Sequence, residues 1–229
     1  MCGRYSLFVD PAALEARFDA QLSFSFEPRY NAAPGQQLPT IRDDDADTIQ
    51  RAHWGLVPSW ADKRTTDHIN ARAETVSDRR MFADAYQHRR CLVPVDGFYE
   101  WSSDERSQPY RFVHSDGGPF ALAGLWERWT PPHVQTQLDA FARDGPDRSA
   151  EELVSFTILT QSPTATVEPI HDRMPVVLSE ATEQAWLSGD PIETLAPIDD
   201  DTLNRYPVSR AVNDPTNDTP AVVEAIDER

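Results

Sequence analysis

The chain has 229 residues, 39% of them hydrophobic and 10% aromatic, which suits one globular domain with a buried core and excludes a disordered chain. Its 38 acidic against 21 basic residues give a formal charge of −17, and Lys63 is the one lysine, a balance that in salt-loving organisms keeps proteins soluble at molar salt. No apolar run approaches the ~18 residues of a membrane span, no secretory leader is visible, and Cys2 with Cys91 makes no disulfide framework, so a cytoplasmic, reducing location and a monomer are expected.

The chain begins Met1-Cys2-Gly3-Arg4. Loss of Met1 would give Cys2 a free α-amine and a thiol two carbons apart, with reference pKa values of about 8 and about 8.5. Both are partly deprotonated near neutrality. Such a 1,2-aminothiol condenses with an aldehyde: the amine forms an imine and the tethered thiol closes a ring on it. A cysteine at position 2 is more often incidental than catalytic, so the rest of the chain has to carry the reading.

Asp10-Pro11 followed by Ala12, Leu14, Ala16 and Phe18 predicts a helix with Asp at the N-cap and Pro in the first turn. Residues 28–39 read as a loop, Asp43 to Asp47 as a solvated hairpin tip, and Ile49 to Leu56 as a strand. From Ser77 to Arg90 the spacing predicts a helix with Met81, Phe82, Ala85 and Tyr86 on one face. Strands are expected over 91–95, 97–101, 110–114, 120–125 and 154–159, and the tract 129–152 as a surface insertion. Ser179 should cap a helix to about Leu187, with a short second one near Ile192. A last strand is expected at 206–209, and a loosely ordered tail from Asn213. Many strands with few helices between them predict an α+β fold, a single mixed domain over 1–229.

The cations are unevenly placed. Residues 62–90 carry Lys63, Arg64, Arg72, Arg79, Arg80, Arg89 and Arg90 against five anions, whereas 179–229 carry three cations against twelve. A locally positive cleft is therefore compatible with the acidic total.

Besides Cys2, three places could carry chemistry. Glu100, in Gly97-Phe98-Tyr99-Glu100-Trp101, is a carboxylate in an aromatic strand; alternation puts Phe98 and Glu100 on one face and Tyr99 with Trp101 on the other. There it either pairs with a cation or has a raised pKa. His171, in Ile170-His171-Asp172-Arg173-Met174-Pro175, is a proton shuttle or a structural histidine. Asn70 and Arg72 point to one side if extended; the guanidinium suits a phosphate or an internal pairing with Glu74 or Asp67. The histidines lack zinc spacing, so no metal and no cofactor is expected. Cys91 reads as buried and inert. The tryptophans are mostly core or rim, with one or two able to stack on bases.

The motifs Met1-Cys2-Gly3-Arg4-Tyr5, Tyr30-Asn31-Ala32-Ala33-Pro34-Gly35, Trp54-Gly55-Leu56-Val57-Pro58-Ser59-Trp60, Ile69-Asn70-Ala71-Arg72-Ala73-Glu74-Thr75, Gly97-Phe98-Tyr99-Glu100-Trp101 and Ile170-His171-Asp172-Arg173-Met174-Pro175 occur in this order. Together with Pro207-Val208-Ser209-Arg210-Ala211-Val212-Asn213 they closely resemble the SOS-response-associated peptidase family of abasic-site shielding proteins, over nearly the whole chain. The resemblance implies a curved, barrel-like β core with peripheral helices. It implies binding of single-stranded DNA and capture of an abasic aldehyde on Cys2 as a thiazolidine, after a Met1 removal that the family can itself catalyse. It makes Glu100 and His171 the proton-handling pair and Asn70 the group that orients the cysteine end. Arg4, Arg72 and Arg173 are expected at DNA, joined by Trp60, Pro34 and Arg210. One departure is that Trp60 is followed by Ala61, where some members carry a second tryptophan. Two rival readings use the same residues: an N-terminal-nucleophile amidohydrolase or cysteine peptidase, and a non-catalytic single-strand-binding module with an incidental Cys2.

Overall fold

The computed structural model describes residues 2–65, 67–104, 107–132 and 152–227. In chain order the first half forms β1 (Tyr5–Leu7), α1 (Pro11–Phe18), β2 (Gln21–Leu22), β3 (Arg29–Ala32), β4 (Gln37–Arg42), β5 (Asp45–Trp54), β6 (Asn70–Arg72) and α2 (Ala83–His88). Then come β7 (Arg90–Val95), β8 (Gly97–Trp101), β9 (Pro109–His114), β10 (Phe120–Trp129) and β11 (Leu153–Gln161). The chain finishes with β12 (Met174–Pro175), β13 (Val177–Leu178), α3 (Glu180–Leu187) and β14 (Leu203–Pro207).

Five strands close on themselves. β11 pairs with β10, β10 with β7, β7 with β4 and β4 with β5, all antiparallel, and a parallel contact at Ser155↔His53 and Phe156↔Trp54 joins β5 back to β11. Alternation along these strands separates two apolar layers. Cys91, Val93 and Val95 of β7, Phe120, Leu122 and Trp126 of β10, and Phe156 and Ile158 of β11 share one cluster with Trp54. Leu92, Ala121, Ala123, Leu125 and Leu159 face the other way, onto Leu14 of α1 and Trp186 of α3. Gly124 is needed inside this ring, because a Cβ there would lie 2.8 Å from the Cys91 sulfur and 3.0 Å from the Thr157 carbonyl oxygen. The fold is thus an α+β single domain with a curved, closed β core and peripheral helices.

A second sheet, in the order β14-β9-β8-β1-β3, leaves the ring at Asp96 between β7 and β8. Asp96 is buried and accepts from Ser6 Oγ at 2.6 Å and from Arg111 Nη2 at 2.8 Å. Gly97 must lack a side chain, since a Cβ would sit 2.8 Å from the Arg111 guanidinium. The N-terminal strand β1 lies between β8 and β3, and Tyr5 meets Trp54 of the ring with centroids 5.1 Å apart. The two sheets share one apolar cluster, in which Tyr5, Phe98 and Phe112 of the second sheet pack with Trp54, Val93, Phe120 and Phe156 of the ring around Cys2.

The Asp10 cap is as expected, its carboxylate accepting from Ala12 N at 2.9 Å. At α3 the Ser179 N–H donates to Thr182 Oγ1 at 3.0 Å. Three expectations need correction. Residues 28–39 are not one loop: β3 and β4 flank a turn at 33–36, because Asp218 holds the Tyr30 and Asn31 N–H groups and β1 pairs with β3. Over 77–90 the α-helix is confined to the short α2, Ser77 and Asp78 being the end of a 3-10 segment, Ala73–Asp78. The tail is docked: Val212 and Val222 pack on Tyr99, and Val208 bridges Ala225. The hairpin tip lies between β4 and β5, and Asp43 there accepts from Trp126 Nε1 and Arg90 N. Most of the 129–152 tract, residues 133–151, lies outside the described residues; Trp129 itself ends β10.

Candidate functional site

Four segments deliver the four expected chemical groups to one place. Cys2 precedes β1 and is fully buried in the ring-facing cluster. Burial, first, and the nearby Glu100 carboxylate, second, push its thiol pKa well above the ordinary cysteine range. The Asn70 side chain comes from β6, which lies parallel to β11 through Ile158↔Asn70. Its Nδ2 donates to the Cys2 carbonyl at 2.7 Å, which fixes the main chain at Cys2. The strand is held in place by Ile69, whose carbonyl accepts from Trp54 Nε1 at 3.0 Å and Ile158 N at 3.1 Å.

Glu100 lies on β8 on the same face as Phe98, with 1% of its surface exposed, and burial pushes its pKa up to about 7. His171 ends a turn pinned by the buried Val167 and Ile170, with the His171 N–H donating to the Val167 carbonyl at 3.1 Å. Its Nε2 stands 4.0 Å from Glu100 Oε2. Its Nδ1 lies 3.0 Å from the Arg173 N–H, 3.1 Å from the Arg173 carbonyl oxygen and 3.1 Å from Asp172 Oδ1, so the ring is held on that side by a donor and by two acceptors. Burial also lowers the His171 pKa, so the imidazole is neutral near pH 7.

The expected DNA-facing residues divide. Arg72 is exposed, beside the site residue Asn70. Trp60 is 52% exposed, the largest open aromatic surface among the described residues, and Arg80 stacks on it with Cζ 4.7 Å from the ring centroid. Pro34 is half-buried in the turn with Gly35, whose φ of 89° suits glycine. Arg210 is exposed at the start of the 3-10 segment Arg210–Asn213. Arg173 and Arg4 are engaged within the protein. Arg173 forms a two-pronged pair with Glu74 at 2.6 and 2.9 Å and donates to the Thr160 carbonyl at 2.6 Å. Arg4 Nη1 donates to Asn31 Oδ1 at 2.8 Å and to the Val212 carbonyl at 2.7 Å.

Sequence reasoning missed two residues that build the site from behind, Asn31 and Asp218. Asn31 stands inside a recognisable motif, Tyr30-Asn31-Ala32, so a signal existed; Asp218 is one aspartate in an acidic tail and carried none. Among the described residues no group of three His, Cys, Asp or Glu side chains is placed to hold a metal ion, and no helix is long and apolar enough to cross a membrane.

Comparison with known proteins agrees with this geometry. A model of the SOS response associated peptidase family matches residues 1–215. The chain is 34% identical to abasic site processing protein YoqW of Bacillus subtilis, over 98% of this chain and 100% of the relative. It is 28% identical to abasic site processing protein HMCES of Xenopus tropicalis, over 89% of this chain and 68% of the relative. A crystal structure of a Bacteroides thetaiotaomicron protein has the same fold, with a TM-score of 0.83 at 22% identity over 98% of this chain and 100% of that one. A fully buried N-terminal Cys2, gripped by Asn70 and set beside a carboxylate–imidazole pair, is thus carried by a chain that belongs to the SOS response associated peptidase family.

Proposed function

We propose that the protein binds single-stranded DNA and captures the aldehyde of an abasic site on Cys2 as a thiazolidine. The reading is carried by one observation: Asn70 holds the Cys2 carbonyl at 2.7 Å where Glu100 is close enough to act on the Cys2 thiol. The relatives named abasic site processing proteins support the lesion class.

An abasic deoxyribose is mostly a closed hemiacetal. Opening it moves a proton from the anomeric hydroxyl to the ring oxygen, which a neutral imidazole and a carboxyl of pKa about 7 can relay. With Met1 removed by hydrolysis, the Cys2 amine adds to the aldehyde carbon and one water leaves, giving an imine. The sulfur then bonds to the same carbon and the thiol proton ends on nitrogen. The net change is loss of one water. The same Cys2, Glu100 and His171 would serve the Met1 cleavage, which is the sense in which the family's peptidase description applies here. Exposed Arg72 and the Trp60–Arg80 stack supply a phosphate contact and an aromatic platform, neither of which reads base sequence.

Intact-mass analysis after incubation with a single-stranded oligonucleotide carrying one abasic site tests this. The expected product weighs the protein without Met1 plus the oligonucleotide minus one water, and it is absent with an intact strand. Turnover of peptides with no such adduct would favour the amidohydrolase reading instead.

A further inference from the structure

Glu100 and His171 reach each other from different sheets. Glu100 is on β8 of the second sheet, whereas the His171 loop, residues 162–173, leaves and rejoins the ring between β11 and β12, which pair at Thr160↔Pro175 and Gln161↔Met174. Val167 and Ile170 sink this loop into the cluster that holds Cys2. Apolar burial is non-directional, so it sets the depth of the loop and not the aim of the imidazole. The directed contact at His171 is the Val167 carbonyl, which accepts from Ile170 N at 2.8 Å and from His171 N at 3.1 Å. The two residues just before Val167 are gripped from the second sheet. Asp200 accepts from Ala165 N through Oδ1 at 3.0 Å and from Thr166 Oγ1 through its carbonyl at 2.6 Å. Arg205 of β14 donates through Nη1 to the Thr166 carbonyl. Asp200 is itself held, because Ile198 and Leu203 on either side of it pack into the same apolar cluster and Ser115 N donates to the Thr202 carbonyl at 2.8 Å. β14 pairs with β9 and β9 with β8, so these contacts tie the histidine's loop to the sheet that carries Glu100.

We infer that Asp200, clamping Ala165 and Thr166, is a positioning residue that holds His171 against Glu100. Two features favour this over a purely architectural role. All three contacts fall on the two residues that precede Val167, the acceptor for the His171 N–H. They also cross from one sheet to the other where the histidine and the carboxyl meet across 4.0 Å, a separation that neither sheet fixes alone.

The kinetic half of the test rests on the proposed cross-linking; the labelling half does not. In the full chain with Met1 removed, diethyl pyrocarbonate labels the His171 imidazole at a rate read by mass spectrometry, with the exposed His88 as internal reference. Asp200→Ala removes the acceptor for Ala165 N, and Thr166→Val removes the donor to the Asp200 carbonyl. Each should raise His171 labelling about fivefold, the local opening gained when one hydrogen bond is lost, and leave His88 unchanged. Cross-linking at saturating abasic single strand should slow roughly tenfold, as a misplaced acid–base group loses much of its worth, while affinity for a strand with a non-reactive tetrahydrofuran in place of the abasic sugar changes less than about threefold. Asp200→Asn keeps an acceptor oxygen and Thr166→Ser keeps the hydroxyl, so both should restore the parent values. Thr166→Val decides the matter if Asp200→Ala does not fold. Unchanged His171 labelling in the folded variants overturns the clamp, as does a lowered melting temperature with an unaltered saturated rate. If the unmodified chain makes no adduct, the proposed function falls, and the labelling still decides the clamp.

Discussion

His171 Nε2 faces Glu100 Oε2 across 4.0 Å, and burial moves the two pKa values toward each other, the carboxyl up and the imidazole down. Near neutrality the carboxyl is about half ionised, while the lowered imidazole favours its neutral form. Desolvation is the main cause of the lowered imidazole, and the Asp172 carboxylate opposes it. The pair can pass a proton in either direction at small cost, as hemiacetal opening and imine formation both require.

Glu100 also makes a stability prediction. Its folded pKa of about 7 lies above the ordinary 4.5, so the folded state holds the proton more tightly than the unfolded chain. That contribution is complete below the ordinary value and is lost as pH rises through about 7, a change of about 3 kcal/mol. Glu100→Gln escapes the loss. Relative to the parent, its melting temperature should rise by several degrees between pH 5 and pH 8, measured by circular dichroism at each pH. A difference that stays flat over this range would mean that Glu100 ionises freely in the fold.

His171→Ala should slow cross-linking by roughly 10²–10⁴-fold, the usual worth of a positioned acid–base group, and leave single-strand binding nearly unchanged. Single-turnover rates at saturating abasic DNA, with affinity from fluorescence anisotropy, separate the two effects. Weakened binding with an unaltered saturated rate would assign His171 to the strand instead.

Arg72 and Arg173 stood together as expected DNA contacts, and the structure separates them. Arg72→Ala should weaken single-strand binding and reduce the slope of log affinity against log salt by about one. Arg173→Ala breaks the pair with Glu74 and the hydrogen bond to Thr160, so its main effect should be on the melting temperature. Equal salt slopes for both variants would place both guanidinia at phosphates.

How legible was this site beforehand? Cys2, Asn70, Glu100 and His171 could be picked out because each is a reactive or polar group in an apolar or tightly patterned run, and strand alternation correctly put Glu100 with Phe98. Four of the five ring strands, β5, β7, β10 and β11, were found because buried strands leave β-branched and aromatic runs, whereas β4 (Gln37–Arg42) fell partly within residues read as a loop. What escaped depended on contacts far apart in the chain. The Tyr30-Asn31 strand exists because Asp218 caps it across 188 and 187 residues. The tail looked loose because polar, proline-containing sequence has no period, and its order comes from three backbone carbonyls meeting Asn31. The helix over 77–90 failed at Arg79, where the backbone turns extended with φ −86° and ψ 114°.

The most discriminating prediction concerns the Cys2 nitrogen. Thiol-only chemistry tolerates an acylated nitrogen if the sulfur is reachable, whereas a thiazolidine needs that nitrogen first as an imine and then as a ring member. Burial also disfavours the thiolate, so the sulfur is a poor nucleophile alone and the amine must act first. Cys2→Ser with a free N-terminus should still give an imine, trapped by borohydride and otherwise lost on heating, because a hydroxyl closes the ring poorly. Cys2→Ala should behave the same way. An uncleavable N-terminal extension should abolish the heat-stable product although the thiol remains, and it should also abolish the trapped imine, since no α-amine is left at position 2. Denaturing gels of abasic DNA after heating, run for extended and mature protein side by side with and without borohydride, read all four cases. A heat-stable adduct from protein whose Cys2 nitrogen is shown by mass spectrometry to be an amide would rule the mechanism out.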